Sequence, residues 1–384
     1  MGAIRAWIRA TNDMGYGSLH LLRAQALAEA AAREGIDAIT LLLDRAGSER
    51  IGSELPNGVA VETMEGLTPE QEAEAIAIKI KEFVPRRIDS GHKRPLVYLL
   101  GGGFDPDYQR AIWRAGAEVV LIADDPVPTW ADWFVLPKPY AGEVSIESRS
   151  GYTRFLRGSH YAPLRFASMK AIYRNSEHRT FARKYAIATE NLDLEWLGRI
   201  AGVLAKLEAP AVAKDWKPAL KLLPSVECPP DDELRKAVGD ASGLDVSIAK
   251  DRKHVIGEML EVDLLFSADN TILQEALALG TVRIALPRKG LEGEDRMVDH
   301  LVRREASLPL PGLKSPELDG QLQAALLRAS FDPAWRRGQN RIGQYLCDGI
   351  GSVRLIRQTA FGAYAVPQNL VRYFEPADPM LREI

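Results

Sequence analysis

The stretch that most limits the possible folds is residues 262–287, "VDLLFSADNTILQEALALGTVRIALP". A short apolar run, a polar pair, about ten residues at helical period and a second apolar run read as strand, loop, helix, strand. Gly280 closes the helix and the next strand begins almost at once. A crossover helix of that kind joins neighbouring parallel strands, so the chain carries a parallel sheet with helices on its faces.

The same rhythm recurs along the chain. "AIRAWIRA" (3–10) reads as a strand, "LHLLRAQALAEAAAREG" as the helix after it and "IDAITLLLD" (36–44) as the next strand. "VAVET" precedes a helix opened by Thr68, with Pro69 at its first position and Gln71 completing a capping box. "PLVYLL", "DYQRAIWRAG", "EVVLIAD" and "ADWFVLP" extend the alternation, which weakens between about 138 and 183 and resumes with "KYAIAT", "NLDLEWLGRIAGVLAKL", "DVSIAK" and "HVIGEMLE". At 384 residues the chain exceeds what one core usually supports. The expectation is an α/β protein of two Rossmann-like domains facing across a cleft, residues 1–168 and 169–350, with the junction near 165–183. Residues 351–384 form a C-terminal helix and tail, read either as returning to the first domain or as a partner contact.

Composition narrows the function. Hydrophobic residues at 46%, charged residues at 26% and a net charge of -3 describe an ordinary globular protein with no basic excess for nucleic acid. No segment has the ~18 apolar residues of a membrane span, and the start lacks a signal-like apolar region. Two cysteines, Cys228 and Cys347, neither form a disulfide framework nor a metal pair, which fits a reducing cytoplasm.

In open parallel sheets ligands collect at the carboxyl ends of strands. "TNDMGYGSLH", "LLGGGFDPD", "ADDP" and "SADNT" fall there. In the first, Gly15 and Gly17 permit a tight turn, and Ser18 is placed to cap a helix whose free N–H groups favour an anion. His20 projects from that helix's first turn as a proton carrier, or is a structural histidine satisfied by a backbone carbonyl. Arg23 braces the loop or covers the helix surface. "GGGFDPD" lacks the ending of a P-loop and the spacing of a dinucleotide fingerprint, so a structural turn explains it as well. Asp124 and Asp125 hold a metal or ligand hydroxyls, or cap the next segment. Asn270 or Thr271 caps the helix carrying Glu275, a carboxylate that could accept ribose hydroxyls or lie solvated in the early turns. The remaining histidines have no metal-ligand spacing, so neither a metal nor a cofactor is expected.

Ordered motifs add a resemblance. "RATNDMGYGSLHLLRAQALA" resembles "RADASxxIGxGHxxRCLxLA", with Arg9, Gly17, His20 and Arg23 aligned. "VVLIADDP", "LRGSHYAPLR", "FSADNTILQEALALG" and "YLCDGIGSVRLI" follow in the same order as "LLVIDDL", "LLGPxYALLR", "ISAGGSTLWELCALG" and "xLVDGxGAxRVA". Over residues 4–357 the chain is similar to the pseudaminic-acid-pathway UDP-sugar hydrolases and related glycosyltransferases of GT-B fold. The resemblance implies that UDP binds the second domain, with Glu275 on the ribose and the helix start at Asn270 and Thr271 near the phosphates. It adds Tyr161 and Arg165 to the sugar-nucleotide site, and makes His20 the base that activates water at the anomeric carbon.

The departures fall on the ligand side. Leu19 stands where the family has a glycine, "ATENLD" (188–193) replaces a paired glycine, and Asp269 and Asn270 replace two more. Asp269 and Glu190 place carboxylates where a diphosphate would rest, with Arg283, Arg288 and Lys289 as potential compensation or as solvated surface. Three readings follow: a UDP-sugar hydrolase, a glycosyltransferase on the same scaffold, and a binding protein without turnover.

Overall fold

The computed structural model describes residues 4–11, 19–51, 55–84, 93–165, 180–224, 228–250, 255–291 and 294–362. The chain forms two compact units, Met1–Phe166 with Gly349–Ile384, and Ala167–Asp348.

In the first unit the elements are β1 (Arg5–Ala10), α1 (Leu19–Arg33), β2 (Ala38–Leu43), α2 (Arg45–Ile51), β3 (Val59–Thr63) and α3 (Pro69–Phe83). They continue as β4 (Leu96–Leu100), α4 (Pro106–Arg114), β5 (Glu118–Ile122), β6 (Trp133–Leu136) and β7 (Arg154–Arg157). The strands lie in the order β3-β2-β1-β4-β5-β6-β7, every pair parallel. β4 is buried along its whole length, as a central strand covered on both faces must be. The capping box at Thr68 and Gln71 is formed, and Asp105 caps α4 by accepting from the Tyr108 N–H, with Pro106 in the first turn. "GGGFDPD" is therefore a strand-to-helix turn, and Gly101 at φ 126° adopts backbone that favours glycine.

The second unit runs β8 (Lys184–Ala188), α5 (Glu195–Ala205), β9 (Ala219–Leu223), α6 (Asp231–Val238), β10 (Asp245–Ile248) and α7 (Val255–Met259). β11 (Leu264–Ser267), α8 (Asn270–Leu279), β12 (Arg283–Ala285), α9 (Arg296–Arg303), α10 (Leu318–Phe331) and α11 (Pro333–Leu346) follow. Its parallel sheet has the order β10-β9-β8-β11-β12. The unit expected over 262–287 is β11, α8 and β12. α8 is buried on every side, against the sheet and against α11. Gly280 ends it in the left-handed conformation at φ 70°, and a Cβ there would overlap the Asn340 side chain.

The last helix, α12 (Gly351–Phe361), lies in the first unit against α1. A Cβ on Gly351 would overlap the backbone of Ala162, so only glycine allows this approach. Arg357 pairs with Glu34 at 2.7 Å, Tyr98 shares a 2.6 Å hydroxyl hydrogen bond with Thr359, and Ser352 donates to the Leu164 carbonyl at 3.0 Å.

Both sheets reverse their strand order once, between β1 and β4 in the first and between β8 and β11 in the second. The loops leaving these pairs diverge to opposite faces, which leaves a crevice at the carboxyl ends of the strands.

Candidate functional site

At the first crevice, α1 begins at Leu19 and carries His20 and Arg23 on its first turn and a half, both 1% exposed. Asp124, two residues beyond the end of β5, is also buried, at 5% exposed. Arg23 donates from Nη1 to Asp124 Oδ2 at 2.8 Å, Lys138 Nζ lies 2.5 Å from Oδ1, and His20 Nδ1 stands 3.8 Å from Oδ2. Two permanent cations and an imidazole thus surround one carboxylate. Burial alone would push the Asp124 carboxyl up; Arg23, then Lys138, then His20 outweigh it and hold the group well below the usual carboxylate range.

The sequence reading of Arg23 as a cover on the helix surface is corrected, because its buried guanidinium is a partner of Asp124; the loop it was alternatively read as bracing lies outside the described residues. The acidic pair also divides: Asp124 is buried in the ion cluster, whereas Asp125 is exposed. Lys138 was not anticipated. Its one signal is a lysine placed directly after the apolar run "WFVLP", where a charge persists only if it is paired. Gly15, Gly17 and Ser18 lie outside the described residues.

Near the end of β1, Arg9 grips Glu72 of α3 through Nε at 2.7 Å and Nη2 at 2.8 Å. The Tyr108 hydroxyl donates to the same carboxylate at 2.6 Å, and Arg9 Nη1 donates to the Ala10 carbonyl. Burial would raise the Glu72 carboxyl, but the bonds from Arg9 and Tyr108 lower it below the ordinary range. This bidentate fork fixes α3 and α4 to the end of β1. Tyr161 and Arg165 sit on the segment after β7: Tyr161 ends a short 3-10 turn and is half-buried, and Arg165 is buried.

The second crevice is built differently. Ala188 and Ser267 are level in the β8–β11 register, so the loops beyond them meet. Asp269, and neither Asn270 nor Thr271, is the N-cap of α8: its Oδ1 accepts from the Thr271 and Ile272 N–H groups at 2.8 Å each. The short acidic side chain in the extended conformation, at φ -81°, outcompetes the two residues that follow it. Its other oxygen accepts from Asn191 Nδ2 at 3.0 Å. Asn191 is held at φ 59°, a region that asparagine tolerates better than most residues. A carboxylate of the protein itself therefore occupies the anion position of this helix start.

Around that cap, Asn270 Oδ1 and Thr271 Oγ1 are buried without a hydrogen-bond partner among the described residues. Glu275 lies one turn further along and is 1% exposed, so its reading as a solvated surface glutamate is corrected. Arg283 cannot compensate Asp269. It starts β12, at the far end of the sheet, and its fully buried guanidinium donates to the carbonyls of Thr281 and Gln339. Burial pulls that guanidinium down to about 9, with Cys347 opposing. Arg288 pairs with Asp295 at 3.0 Å. Among the described residues no group of three or more His, Cys, Asp or Glu side chains could hold a metal ion, and no helix is long and apolar enough to cross a membrane.

Neither a protein-family model nor a curated protein matches the sequence. Solved structures do match in three dimensions. MurG of Acinetobacter baumannii has a TM-score of 0.64 at 13% identity, covering 94% of this chain and 99% of that one. The UDP-GlcNAc 2-epimerase of Neisseria meningitidis, bound to UDP-GlcNAc, gives 0.57 at 11% identity, over 94% and 100%. UGT2 of Phytolacca americana, complexed with UDP-2fluoro-glucose and pterostilbene, gives 0.56 at 10%, also over 94% and 100%. The chain has the GT-B fold. At identities this low the likeness establishes architecture, and function is argued from the residues.

Proposed function

We propose that this protein processes a nucleotide sugar, with UDP as the nucleotide and hydrolysis of a UDP-linked 2,4-diacetamido-2,4,6-trideoxy sugar as the reaction. The observation that carries the reading is His20, set at the start of α1 beside the switch point of the first sheet and flanked by Asp124 at 3.8 Å. His20 takes a proton from water as its oxygen bonds to the anomeric carbon. The bond from that carbon to the diphosphate breaks, and UDP leaves with the electron pair. Asp124 stabilises the imidazolium that forms, while Arg23 and Lys138 hold Asp124 ionised.

The second unit supplies polar groups suited to the nucleotide. Asn270 Oδ1, an acceptor, and the Thr271 hydroxyl are buried with no partner among the described residues, and Glu275 is the carboxylate for the ribose hydroxyls. Two of the matched structures, by their descriptions, hold a UDP-sugar. If a hydroxyl of a second substrate replaces water, the same base makes the protein a glycosyltransferase.

A specific observation favours the third reading, binding without turnover: Asp269 places a carboxylate on the N–H groups of α8 where a diphosphate would otherwise be received. One assay separates the three. UDP release from a panel of UDP-sugars, with and without acceptors, is measured for the native protein and His20→Ala. Release without acceptor that His20→Ala abolishes supports the hydrolase, and release only with an acceptor supports the transferase. Equal rates in both proteins remove His20 from the chemistry. A melting temperature that no UDP-sugar shifts at millimolar concentration removes UDP.

A further inference from the structure

The far edge of the first sheet carries a second feature. Arg94 precedes β4, Trp113 lies on the last turn of α4, Trp130 to Asp132 precede β6, and Ser150 and Tyr152 precede β7. All of these positions stand at the amino ends of strands, opposite the edge that carries His20 and Asp124. Together they line a cavity of about 180 Å³. Trp113 is 39% exposed and Tyr152 is 87% exposed, large aromatic surface left in water at one place.

The cavity is shaped by bonds behind it. Asp132 accepts from Arg94 Nη1 at 3.3 Å and from the Val119 N–H at 2.8 Å. The Trp130 N–H is held by Gln109 Oε1 at 2.7 Å, and Thr153 donates to the Ala131 carbonyl at 2.8 Å. Ser150 Oγ accepts from the Tyr152 N–H at 3.1 Å and shares a hydrogen bond with Thr153. Arg94 lies 5.9 Å from the centre of the Trp113 ring, and Arg110 lies 5.4 Å from that of Trp130. The indole Nε1 of Trp130 is shielded from solvent and has no hydrogen-bond partner among the described residues.

Those features select a ligand class. Arg94 is balanced by Asp132 and Arg110 by Asp107, so the lining offers no net charge to attract a phosphate or an ammonium group. Aromatic faces together with the open Trp130 indole N–H suit a ring that is apolar on its C–H face and hydroxylated at its edge. The volume falls below the ~300–1,000 Å³ of drug-sized ligand sites, which admits one sugar ring and excludes a whole nucleotide sugar. We infer that this cavity, walled by Trp113, Trp130 and Tyr152, binds one pyranose unit of an uncharged glycan, and that it is separate from the nucleotide-sugar site. The inference stands whether or not His20 turns over a nucleotide sugar.

The test is a tryptophan-fluorescence titration of the full chain with maltohexaose, cellohexaose and the hexamer of N-acetylglucosamine. Trp113→Ala and Tyr152→Ala are compared with the native protein and with His20→Ala. Both aromatic positions are exposed, so their truncation leaves the fold intact, which unchanged far-ultraviolet dichroism and melting temperature verify. Saturable binding of at least one oligosaccharide is expected at millimolar or lower concentration, weakened tenfold or more in each aromatic variant and unchanged in His20→Ala. Absence of saturation with all three glycans overturns the inference, as does binding that the aromatic variants leave intact. Concentration-dependent self-association abolished by Tyr152→Ala, without glycan binding, reassigns the face to contact between copies of the chain and also overturns it.

Discussion

The two switch points occupy equivalent places in two parallel sheets, yet they manage charge in opposite ways. At the first, a buried carboxylate is shared by Arg23, Lys138 and the His20 imidazole, groups drawn from α1 and from beyond β6. At the second, the carboxylate of Asp269 accepts from the N–H groups of its own helix and from Asn191, 78 residues earlier in the chain. One edge is polarised by long-range ion pairs, and the other is closed by a cap. The first arrangement suits proton transfer, whereas the second sets a negative charge where a phosphate group would be received.

The contrast breaks first on His20. Its replacement by alanine is expected to lower UDP release by about 10²- to 10⁴-fold, the usual contribution of a positioned general base. Steady-state kinetics of the two proteins on the same UDP-sugar measure the loss, and a smaller change means that the first edge is structural.

Asp124→Asn probes the same edge through stability. It leaves Arg23 and Lys138 buried without their carboxylate, at a cost of about 3–5 kcal/mol, read as a shift in the urea midpoint. The pH dependence has a defined sign. The folded protein holds Asp124 and Glu72 below their ordinary range, so their contribution is present above about pH 4 and is lost as the pH falls further. Urea midpoints taken from pH 6 downward should fall below pH 4 for the native protein, and less steeply for Asp124→Asn.

The second edge responds more weakly. Asp269→Ser keeps a capping oxygen and removes the charge, so stability should change by less than about 1 kcal/mol. UDP affinity, measured by calorimetry, should rise, and an unchanged or weaker affinity would show that the cap does not oppose the diphosphate. Asn191→Ala should cost about 1 kcal/mol, from a left-handed backbone without the asparagine amide, and Asn191→Gly should cost less, as thermal melts of both would show.

Local pattern carried much of the fold. The apolar runs of β1, β4, β5 and β11, the capping box at Thr68 and the closing glycine at Gly280 are written in neighbouring residues. Elements whose patterns are diluted by charge were harder to see. β9 contains Lys221, which Glu258 of α7 neutralises at 2.5 Å, and β7 is a four-residue edge strand that begins and ends in arginine. α10 packs on α5 and α11 through a face that its own periodicity marks weakly. At the sites, His20 and Asp124 were legible because loops after strands are where ligands collect, while Lys138 and Asn191 were not, since nothing near them in sequence names their partners.

Neighbouring residues alone mark most of the strands and helices, and imply two parallel sheets with crossover helices. Backbone periodicity and capping act over a few residues, so a linear reading reaches them. Only the tertiary structure decided that Arg23 and Lys138 converge on one carboxylate from positions 101 residues upstream and fourteen downstream of Asp124, and that Asp269 takes the cap from its neighbours. It also decided that the helix at Gly351 returns to the first unit through a contact no side chain could enter. Burial sets these outcomes. A charge inside a protein must find its partner wherever in the chain that partner lies, and sequence distance places no limit on where that is.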